Sequence, residues 1–336
     1  MRPGTKLVTL AAAITTTAAL AACGPTNAEL SSVGQEEGGR QAITVGALPI
    51  ASSAALHLGI DKGYFAEEGL DVTVQSIPNP AGAMAALQGG QAHFAYTPSM
   101  PMLTALSQGI DLKVVAAADG YPEGAYEQWE ASGRTTQPDD TAVLVGEQSP
   151  ISSPRDLEGK IVAVPARKAQ LEVTIASSVK QAGGDPAKVK WIALSFQDMI
   201  PALESGRVDA IGEVTPFVEQ AKSKGARVLD YPGISTFREG AVGLWVATGS
   251  FVESNPDVVQ RFRRAMHKAN SYANEHIDEA QVKAAEVTRI PLEILEAGEP
   301  PYWPDAVEPA EIDRAAQVMV DLGYLTAKPA TDALVV

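Results

Sequence analysis

The stretch ALQGGQAHFA, residues 86–95, returns in altered form as ALESGRVDAI, residues 202–211, at an offset of 116 residues. Each stretch has an Ala-Leu helix end, a glycine-containing turn and the start of an apolar strand. Pro49 and Pro165 have the same offset, and each closes a predicted strand. Because two separate features share one offset, the sequence predicts two lobes of one design.

Strands and helices are predicted to alternate in both halves of the chain. Residues 43–50, 71–77 and 112–119 have the apolar pattern of strands, and Ala/Leu-rich helical segments separate them. Such alternation predicts an α/β fold in which each lobe is a mainly parallel sheet flanked by helices. A further strand within residues 237–251 and a long helix at 256–275 follow the second lobe.

The predicted domain division assumes that this last strand returns the chain to the first lobe. Residues 42–143 and 240–336 then form lobe 1, and residues 144–239 form lobe 2. Two crossings between the lobes make a hinge, and a hinge with a cleft is how many receptors enclose a small ligand.

The composition is that of a folded, acidic protein. The chain has 336 residues, of which 45% are hydrophobic and 20% charged, and its net charge is -15. Contacts with phosphate groups need clustered Lys and Arg, which this sequence lacks. Nucleic acid is therefore excluded as a partner.

The N-terminal segment has the pattern of an export signal that ends in a lipid-attachment site. Residues 1–22 begin with basic side chains, continue through an apolar Ala-rich run and end in Leu-Ala-Ala directly before Cys23, as a bacterial lipobox does. Cys23 is the single cysteine, which excludes disulfides within the chain and cysteine-based metal or redox motifs. We expect Cys23 to be lipidated and residues 23–41, polar and rich in Gly and Ser, to form a flexible tether.

Ligands of open α/β sheets bind beyond the carboxyl ends of the strands, where helix N-termini present unpaired N–H groups. Asn79-Pro80 and Thr215-Pro216 at such ends have the residue types of a helix cap followed by proline in the first turn. The loops that this rule selects are residues 49–53, 77–82, 96–101, 165–170, 195–199 and 213–216.

Side chains in these loops indicate two different classes of ligand. Arg167 and Lys168 at a helix start suit a small oxyanion. Glu213 can accept a hydrogen bond from a ligand N–H or O–H group, and the aromatic residues Tyr96, Tyr121 and Phe196 can stack on a ring. A small oxyanion and a nitrogen heteroaromatic ring therefore both remain open.

No catalytic motif is present in the sequence. The GxSxG, HExxH, Walker and EF-hand patterns are absent, and the SxxK match at residues 177–180 lacks its companion motifs. His267 and His276 are nine residues apart, which does not place them on one helix face as metal ligands. The sequence thus predicts no enzyme activity, no metal site and no cofactor.

Four motifs, in this order, resemble those of a known family. They are LHLGIDKGYFAEEGLDV at 56–72, ISSPRDLEGK at 151–160, ALESGRVDAI followed by a Pro at 216, and NPDVV at 255–259. Together they resemble the solute-binding proteins of ABC transporters of the nitrate/sulfonate/taurine group, which also contains receptors similar to thiamine-pyrimidine binders. The resemblance runs from about residue 42 to the end of the chain.

The resemblance implies a two-lobed periplasmic-binding-protein fold of type II. It also implies an extracytoplasmic, lipid-anchored receptor that delivers one small solute to a membrane permease with its cytoplasmic ATPase. One departure is ARKA at 166–169, where many members have a Gly/Ser-rich turn, which argues against a simple transfer of oxyanion recognition. The ligand-contact candidates that the resemblance carries over are Ser52, Ser53, Asn79, Tyr96, Thr97, Ser99, Arg167, Lys168, Gln170, Glu213 and Thr215.

Two other functions use the same fold. The first is an enzyme similar to thiamine-pyrimidine synthases, whose Cys-rich motif cannot exist in a chain with one cysteine. The second is a sensory subunit that presents its ligand to a membrane kinase.

The charges in residues 56–72 are predicted to be scaffold. Asp61, Lys62, Glu67 and Glu68 should lie on a solvated corner at the helix end remote from the cleft.

Overall fold

The computed structural model describes residues 1, 39–134, 136, 140–331 and 333–336. Cys23, the predicted export signal beyond its first residue and most of the predicted tether lie outside this part. In the residues that are described, no helix combines the length and the apolar character that a membrane crossing requires.

Two five-stranded sheets form the framework of the described residues. The first sheet has the order β2-β1-β3-β10-β4 and the second has the order β7-β6-β8-β5-β9. The strands are β1 (Gln41–Ala47), β2 (Leu70–Ser76), β3 (Phe94–Pro98), β4 (Leu112–Tyr121), β5 (Thr141–Val145), β6 (Ile161–Val164), β7 (Lys190–Ala193), β8 (Ala210–Val214), β9 (Arg227–Asp230) and β10 (Gly240–Thr248).

Helices connect the strands and cover the sheets. Single turns of 3-10 helix at Ala51–Ser53, Pro154–Leu157 and Pro186–Lys188 add to them. The α-helices are α1 (Ala54–Asp61), α2 (Tyr64–Glu67), α3 (Pro80–Gln88), α4 (Ser99–Ser107), α5 (Ala125–Ala131), α6 (Gln170–Gln181), α7 (Phe196–Glu204), α8 (Phe217–Ser223), α9 (Pro232–Phe237), α10 (Gly249–Ser254), α11 (Pro256–Glu275), α12 (Ile277–Thr288), α13 (Leu292–Leu295) and α14 (Pro309–Asp321).

The repeat expected from the sequence is confirmed. Helix α3 and helix α7 begin and end 116 residues apart, and strands β3 and β8 begin at the same offset. In each sheet four strands run in one direction, and one strand, β10 or β5, runs against its neighbours. The fold is therefore α/β with two mainly parallel sheets, and each sheet with the helices packed on it is called a lobe below.

The antiparallel strand of each sheet is separated from the other strands of that sheet by the order of the chain. Strand β10 lies in the first sheet although it follows β9, and β5 lies in the second sheet although it follows β4. All five residues of β5 pair with β8. The predicted division after residue 143 therefore cuts a strand, and a boundary near residue 140 keeps it whole. The predicted tether likewise overlaps β1 at Gln41.

An aromatic cluster fixes helix α11 to the first sheet. The ring of Phe262 on α11 stacks on Phe94 of β3 at 4.0 Å between centroids and lies 6.3 Å from Trp245 of β10. Phe65 approaches the same ring from α2 at 5.6 Å. Phe262 is fully buried. One side chain thus joins β3, β10, α2 and α11.

The charged corner predicted as scaffold is tied to the C-terminal helices. Each of its four charged side chains forms an ion pair with α11 or α12. Three of the four residues are exposed, so the corner is solvated as predicted. The pairs are Asp61–Lys283 at 2.6 Å, Lys62–Glu279 at 2.7 Å, Glu67–Lys268 at 2.6 Å and Glu68–Arg264 at 2.6 Å.

Replacing Glu68 with glutamine should leave solute affinity unchanged within about twofold, because exposed ion pairs contribute little and distant sites act independently. Calorimetric titration of the variant checks this expectation, with Glu67→Gln as a matched control on the same corner. A tenfold loss of affinity in a folded Glu68 variant would show that the corner takes part in binding.

Candidate ligand-binding site

A cavity lies between the two sheets, where the strands of both lobes end. The space between its protein atoms amounts to about 570 Å³, part of which is open to solvent. Its walls include Tyr96, Asp119 and Tyr121 from the first lobe, and Gln170, Leu171 and Phe196 from the second.

All six loops chosen by the strand-end rule contribute to this cavity. From the first lobe, Ser52, Pro80 and Pro98 line it, each from a different loop. In the second lobe the lining includes Pro165, Gln170, Phe196 and Val214. The parallel strands bring these loops to one place because their carboxyl ends share one edge in each sheet.

Both carboxylate oxygens of Asp119, a residue of the cavity lining, accept hydrogen bonds from the protein. The Tyr96 hydroxyl donates to Asp119 Oδ2 at 2.8 Å, and the Gly243 backbone N–H donates to Oδ1 at 2.8 Å. Burial raises the pKa of Asp119, whereas hydrogen bonds from Ser52, Tyr96 and Gly243 oppose the rise. Burial, together with the neighbouring Asp119 charge, also raises the pKa of Tyr96 well above its usual value.

Gly243 makes this arrangement sterically feasible. Strand β10 runs between β3, which carries Tyr96, and β4, which carries Asp119. A Cβ atom on Gly243 would lie 2.2 Å from Asp119 Oδ1 and 2.8 Å from Tyr96 Cε2. The Asp119–Tyr96 bond therefore requires a glycine between the two side chains.

Of the predicted contact residues, Ser52, Tyr96 and Gln170 line the cavity. The backbone carbonyl of Ser52 accepts a hydrogen bond of 2.8 Å from the Trp303 indole N–H, which fixes its loop. Gln170 starts helix α6, and its buried side-chain oxygen has no hydrogen-bond partner. That oxygen is available to a ligand donor.

Three other candidates use their polar groups locally. The Ser53 hydroxyl donates to the Leu48 carbonyl at 2.7 Å, and the Thr97 hydroxyl donates to the Pro98 carbonyl at 3.2 Å. Asn79 caps helix α3, as predicted, by accepting from the Gly82 N–H at 2.9 Å. These side chains shape the loops around the cavity.

Ser99, Glu213 and Thr215 are buried and are not among the residues that line the cavity. Burial raises the pKa of Glu213 well above its usual value, against a smaller effect of the Val214 backbone N–H. The prediction that Thr215 caps helix α8 is wrong, because the helix begins at Phe217 with Pro216 in the capping position.

Arg167 and Lys168 face away from the cavity into an outer groove. The buried carboxylate of Glu172 on α6 holds the Arg167 side chain there by accepting from Arg167 Nε at 2.6 Å, and it also accepts from the Lys168 backbone N–H at 2.9 Å. The Arg167 guanidinium also donates to the Trp191 carbonyl at 3.0 Å. Among the described residues, no Lys, Arg or His lines the cavity.

Hydrogen bonds join the two lobes around the cavity. The Ala51 N–H donates to the Thr215 carbonyl at 3.3 Å. On another side, the Tyr324 hydroxyl, which follows α14, donates to Glu172 Oε1 at 3.2 Å. Burial raises the pKa of Tyr324 far above its usual value, so this hydroxyl keeps its proton. The lobes are thus held together over the cavity.

Asp119 is not among the contact residues predicted from the sequence. The sequence signal for Asp119 is a carboxylate that closes the mostly apolar segment LKVVAAAD, residues 112–119. A charged residue near the end of a buried strand, at the edge where ligands bind, is a candidate contact because buried charges require partners.

Two α/β lobes of one design with a cavity between them at their strand ends define a periplasmic-binding-protein fold. The sequence profile described as NMT1/THI5 like matches residues 51–122 and 131–280. The chain belongs to the NMT1/THI5-like family. The family resemblance drawn from the four sequence motifs is thereby confirmed.

Two curated relatives are named as binding proteins. The chain is 27% identical over 241 residues to the formylaminopyrimidine-binding protein of Halalkalibacterium halodurans, covering 69% of this chain and 66% of that protein, just under two thirds. It is 25% identical over 251 residues to a putative aliphatic sulfonates-binding protein of Bacillus subtilis, covering 73% and 70%.

Solved structures with low sequence identity share the fold. The alkanesulfonate-binding protein SsuA from Xanthomonas axonopodis pv. citri, bound to MOPS, superposes with a TM-score of 0.72 at 17% identity, covering 88% of this chain and 98% of that one. The periplasmic nitrate-binding protein NrtA from Synechocystis gives a TM-score of 0.69 at 13% identity, covering 85% and 82%.

Proposed function

We propose that this protein is the solute receptor of an ABC importer. It binds one small solute in the cavity between the lobes and delivers it to a membrane permease that works with a cytoplasmic ATPase. The observation that carries the proposal is the cavity itself, which both lobes line at their strand ends. The names of the curated relatives support a binding role rather than an enzymatic one.

The lining of the cavity favours a nitrogen-containing ring over an oxyanion. Asp119 and Asp140 contribute carboxyl groups, whereas no basic side chain is among the described residues of the lining. Tyr121 and Phe196 supply aromatic surface for a ring. A sulfonate or nitrate would meet negative charge in this cavity and find no cation to pair with. The relative named for formylaminopyrimidine agrees with this choice.

The receptor is also proposed to be extracytoplasmic and held to the membrane by a lipid on Cys23. Support comes from the sequence of residues 1–23, which has an export pattern that ends in the single cysteine. Mass spectrometry of the mature N-terminus tests this proposal. A diacylglyceryl group on an N-terminal Cys23 is expected, and an unmodified, internal Cys23 would refute the anchor.

The receptor function is tested by native mass spectrometry of the purified protein, followed by thermal-shift measurements with nitrate, taurine, alkanesulfonates and pyrimidines. We expect a ring with N–H donors to raise the melting temperature, because a ligand that binds only the folded state stabilises it. If no small solute binds with micromolar or better affinity, the receptor function is wrong.

Replacing Tyr324 with phenylalanine should weaken solute binding by about two- to tenfold. The change removes the hydroxyl that joins the lobes through Glu172, and one such hydrogen bond contributes about 0.5–1.5 kcal/mol to the closed state. Calorimetric titration measures the loss. Tyr64→Phe, which removes a hydroxyl from the first lobe far from the junction, serves as control. Equal affinities of the Tyr324 variant and the wild type would show that this bond does not hold the lobes closed.

A further inference from the structure

We propose that Asp119 selects the solute by charge, so that the cavity takes an aromatic molecule bearing a positively charged nitrogen group whose N–H bonds point at this carboxylate. The inference rests on the proposed receptor function and names the class of solute for the same cavity.

The surroundings of Asp119 are built to hold an anion. The backbone N–H of Gly243 can only donate, and it contacts Oδ1, while the Tyr96 hydroxyl donates to Oδ2. The Ser52 hydroxyl adds a further hydrogen bond to this carboxylate. Donors from three separate segments thus orient both oxygens, and a carboxylate oxygen accepts more than one hydrogen bond, so capacity remains for a ligand.

The protein supplies no cation to balance this charge. Asp119 is 7% exposed and forms no ion pair with a described residue, and the described lining lacks Lys, Arg and His. Leaving a buried carboxylate without a counter-ion is energetically costly. A bound cation removes that cost, whereas a neutral solute does not. The lack of a cation beside this carboxylate therefore indicates that the ligand carries a positive charge.

The other titratable groups around Asp119 strengthen the same preference. Asp140 lines the cavity from the segment before β5, and Tyr96 and Tyr121 line it from β3 and β4. Burial keeps Tyr96 protonated at neutral pH because it raises the pKa of that phenol. Asp140 is thus the second carboxyl group of the lining beside Asp119, which disfavours an anionic solute.

The walls of the cavity narrow the class of solute further. Aromatic and apolar side chains, including Phe196, Leu171 and Val242, make up much of the wall, so the remainder of the solute is flat and apolar. Two parallel N–H bonds of an amidine-like edge match the two oxygens of a carboxylate. An aromatic amidine, or a protonated aminopyrimidine with the same N–H edge, has both features.

The test compares three ring compounds that differ mainly in charge. Benzamidine is cationic, benzamide neutral and benzoate anionic, and calorimetric titration into the full-length protein gives their affinities. Benzamidine should bind about tenfold tighter than benzamide or better, with benzoate weakest, because hydrogen bonds to charged groups contribute more than neutral ones. In Asp119→Asn, the affinity for benzamidine should fall about tenfold or more while that for benzamide changes less than about threefold.

Asp140→Asn is the control, because it removes the same charge from the same cavity. We expect it to weaken benzamidine less than Asp119→Asn does. The wild-type protein offers a second measurement that needs no variant. As the pH falls through the raised pKa of Asp119, benzamidine binding should weaken, whereas benzamide binding should stay constant. Over this range Tyr96 stays neutral, because burial raises the pKa of its phenol.

Several outcomes would overturn the charge selection. They are benzoate binding as tightly as benzamidine, a cation preference that survives Asp119→Asn, a benzamidine affinity independent of pH, or failure of benzamidine to bind while a neutral or anionic solute does. In each case either a solute of another charge binds, or the preference for a cation does not come from Asp119. The receptor function would still stand. If no small solute binds to the protein, both the charge selection and the receptor function are wrong.

Discussion

Replacing Gly243 with alanine is expected to lower solute affinity by about a hundredfold or more, because the added Cβ displaces Asp119, the proposed ligand contact. The Cβ would stand 2.2 Å from Asp119 Oδ1 and 2.8 Å from Tyr96 Cε2. Both contacts are far below van der Waals distance, so Asp119 and Tyr96 must move and their hydrogen bond breaks. Overpacking of this kind also costs about 1–3 kcal/mol of stability. Calorimetric titration and urea unfolding measure the two effects.

Gly146→Ala is the matched control for this substitution. Gly146 follows β5, and a Cβ there would meet no atom within 4 Å. Neither glycine has a positive φ, so backbone strain does not distinguish them. We expect the Gly146 variant to bind as the wild type does. A folded Gly243→Ala protein with wild-type affinity would show that the Asp119–Tyr96 arrangement does not contribute to binding.

Replacing Phe262 with alanine should lower the free energy of unfolding by about 3–5 kcal/mol. The ring is fully buried and stacks on Phe94 at 4.0 Å, with Phe65 and Trp245 beside it. Its removal leaves a cavity where α2, α11, β3 and β10 meet, and rigid strands can close little of it. Equilibrium unfolding in urea, followed by tryptophan fluorescence, gives the change.

Val282→Ala provides the surface comparison for this core substitution. Val282 on α12 is 43% exposed, so its truncation should alter stability by less than about 0.5 kcal/mol. If Phe262→Ala also lost less than 1 kcal/mol, α11 would not be fixed to the sheet by the aromatic cluster.

The fold was predictable because its signals are local and repeated. An apolar strand followed by a helix gives a pattern within ten to twenty residues, and the 116-residue offset showed it twice. The long helix α11 has the predicted bounds. It was harder to predict which sheet β5 and β10 join, because that depends on pairing with strands far away in the sequence. The return of β10 was foreseen, whereas the crossing before β5 was set three residues late.

The location of the site was predictable, but the direction of its side chains was not. Parallel topology brings the six loops together, and the structure agrees. Whether Arg167 points into the cavity depends on Glu172, five residues later in the first turn of α6, which draws it outward. The role of Asp119 depends on Gly243, 124 residues later in the chain. Such contacts leave no pattern in the nearby sequence.

The residues of the opening family motif illustrate the same limit. Their charges were predicted to be scaffold remote from the ligand, and the structure places them at the junction of α1 and α2 with α11 and α12. Their ion-pair partners lie about two hundred residues further along, so the pairing itself could not be read from spacing.

A crystal structure of the protein with the tightest-binding solute from the screen tests the central claim most directly. We predict one solute molecule between the lobes, with an N–H group within hydrogen-bonding distance of Asp119 and a ring against Phe196. Lobes that remain closed over a cavity without solute, with the bound molecule elsewhere on the surface, would contradict the claim that this cavity is the receptor site.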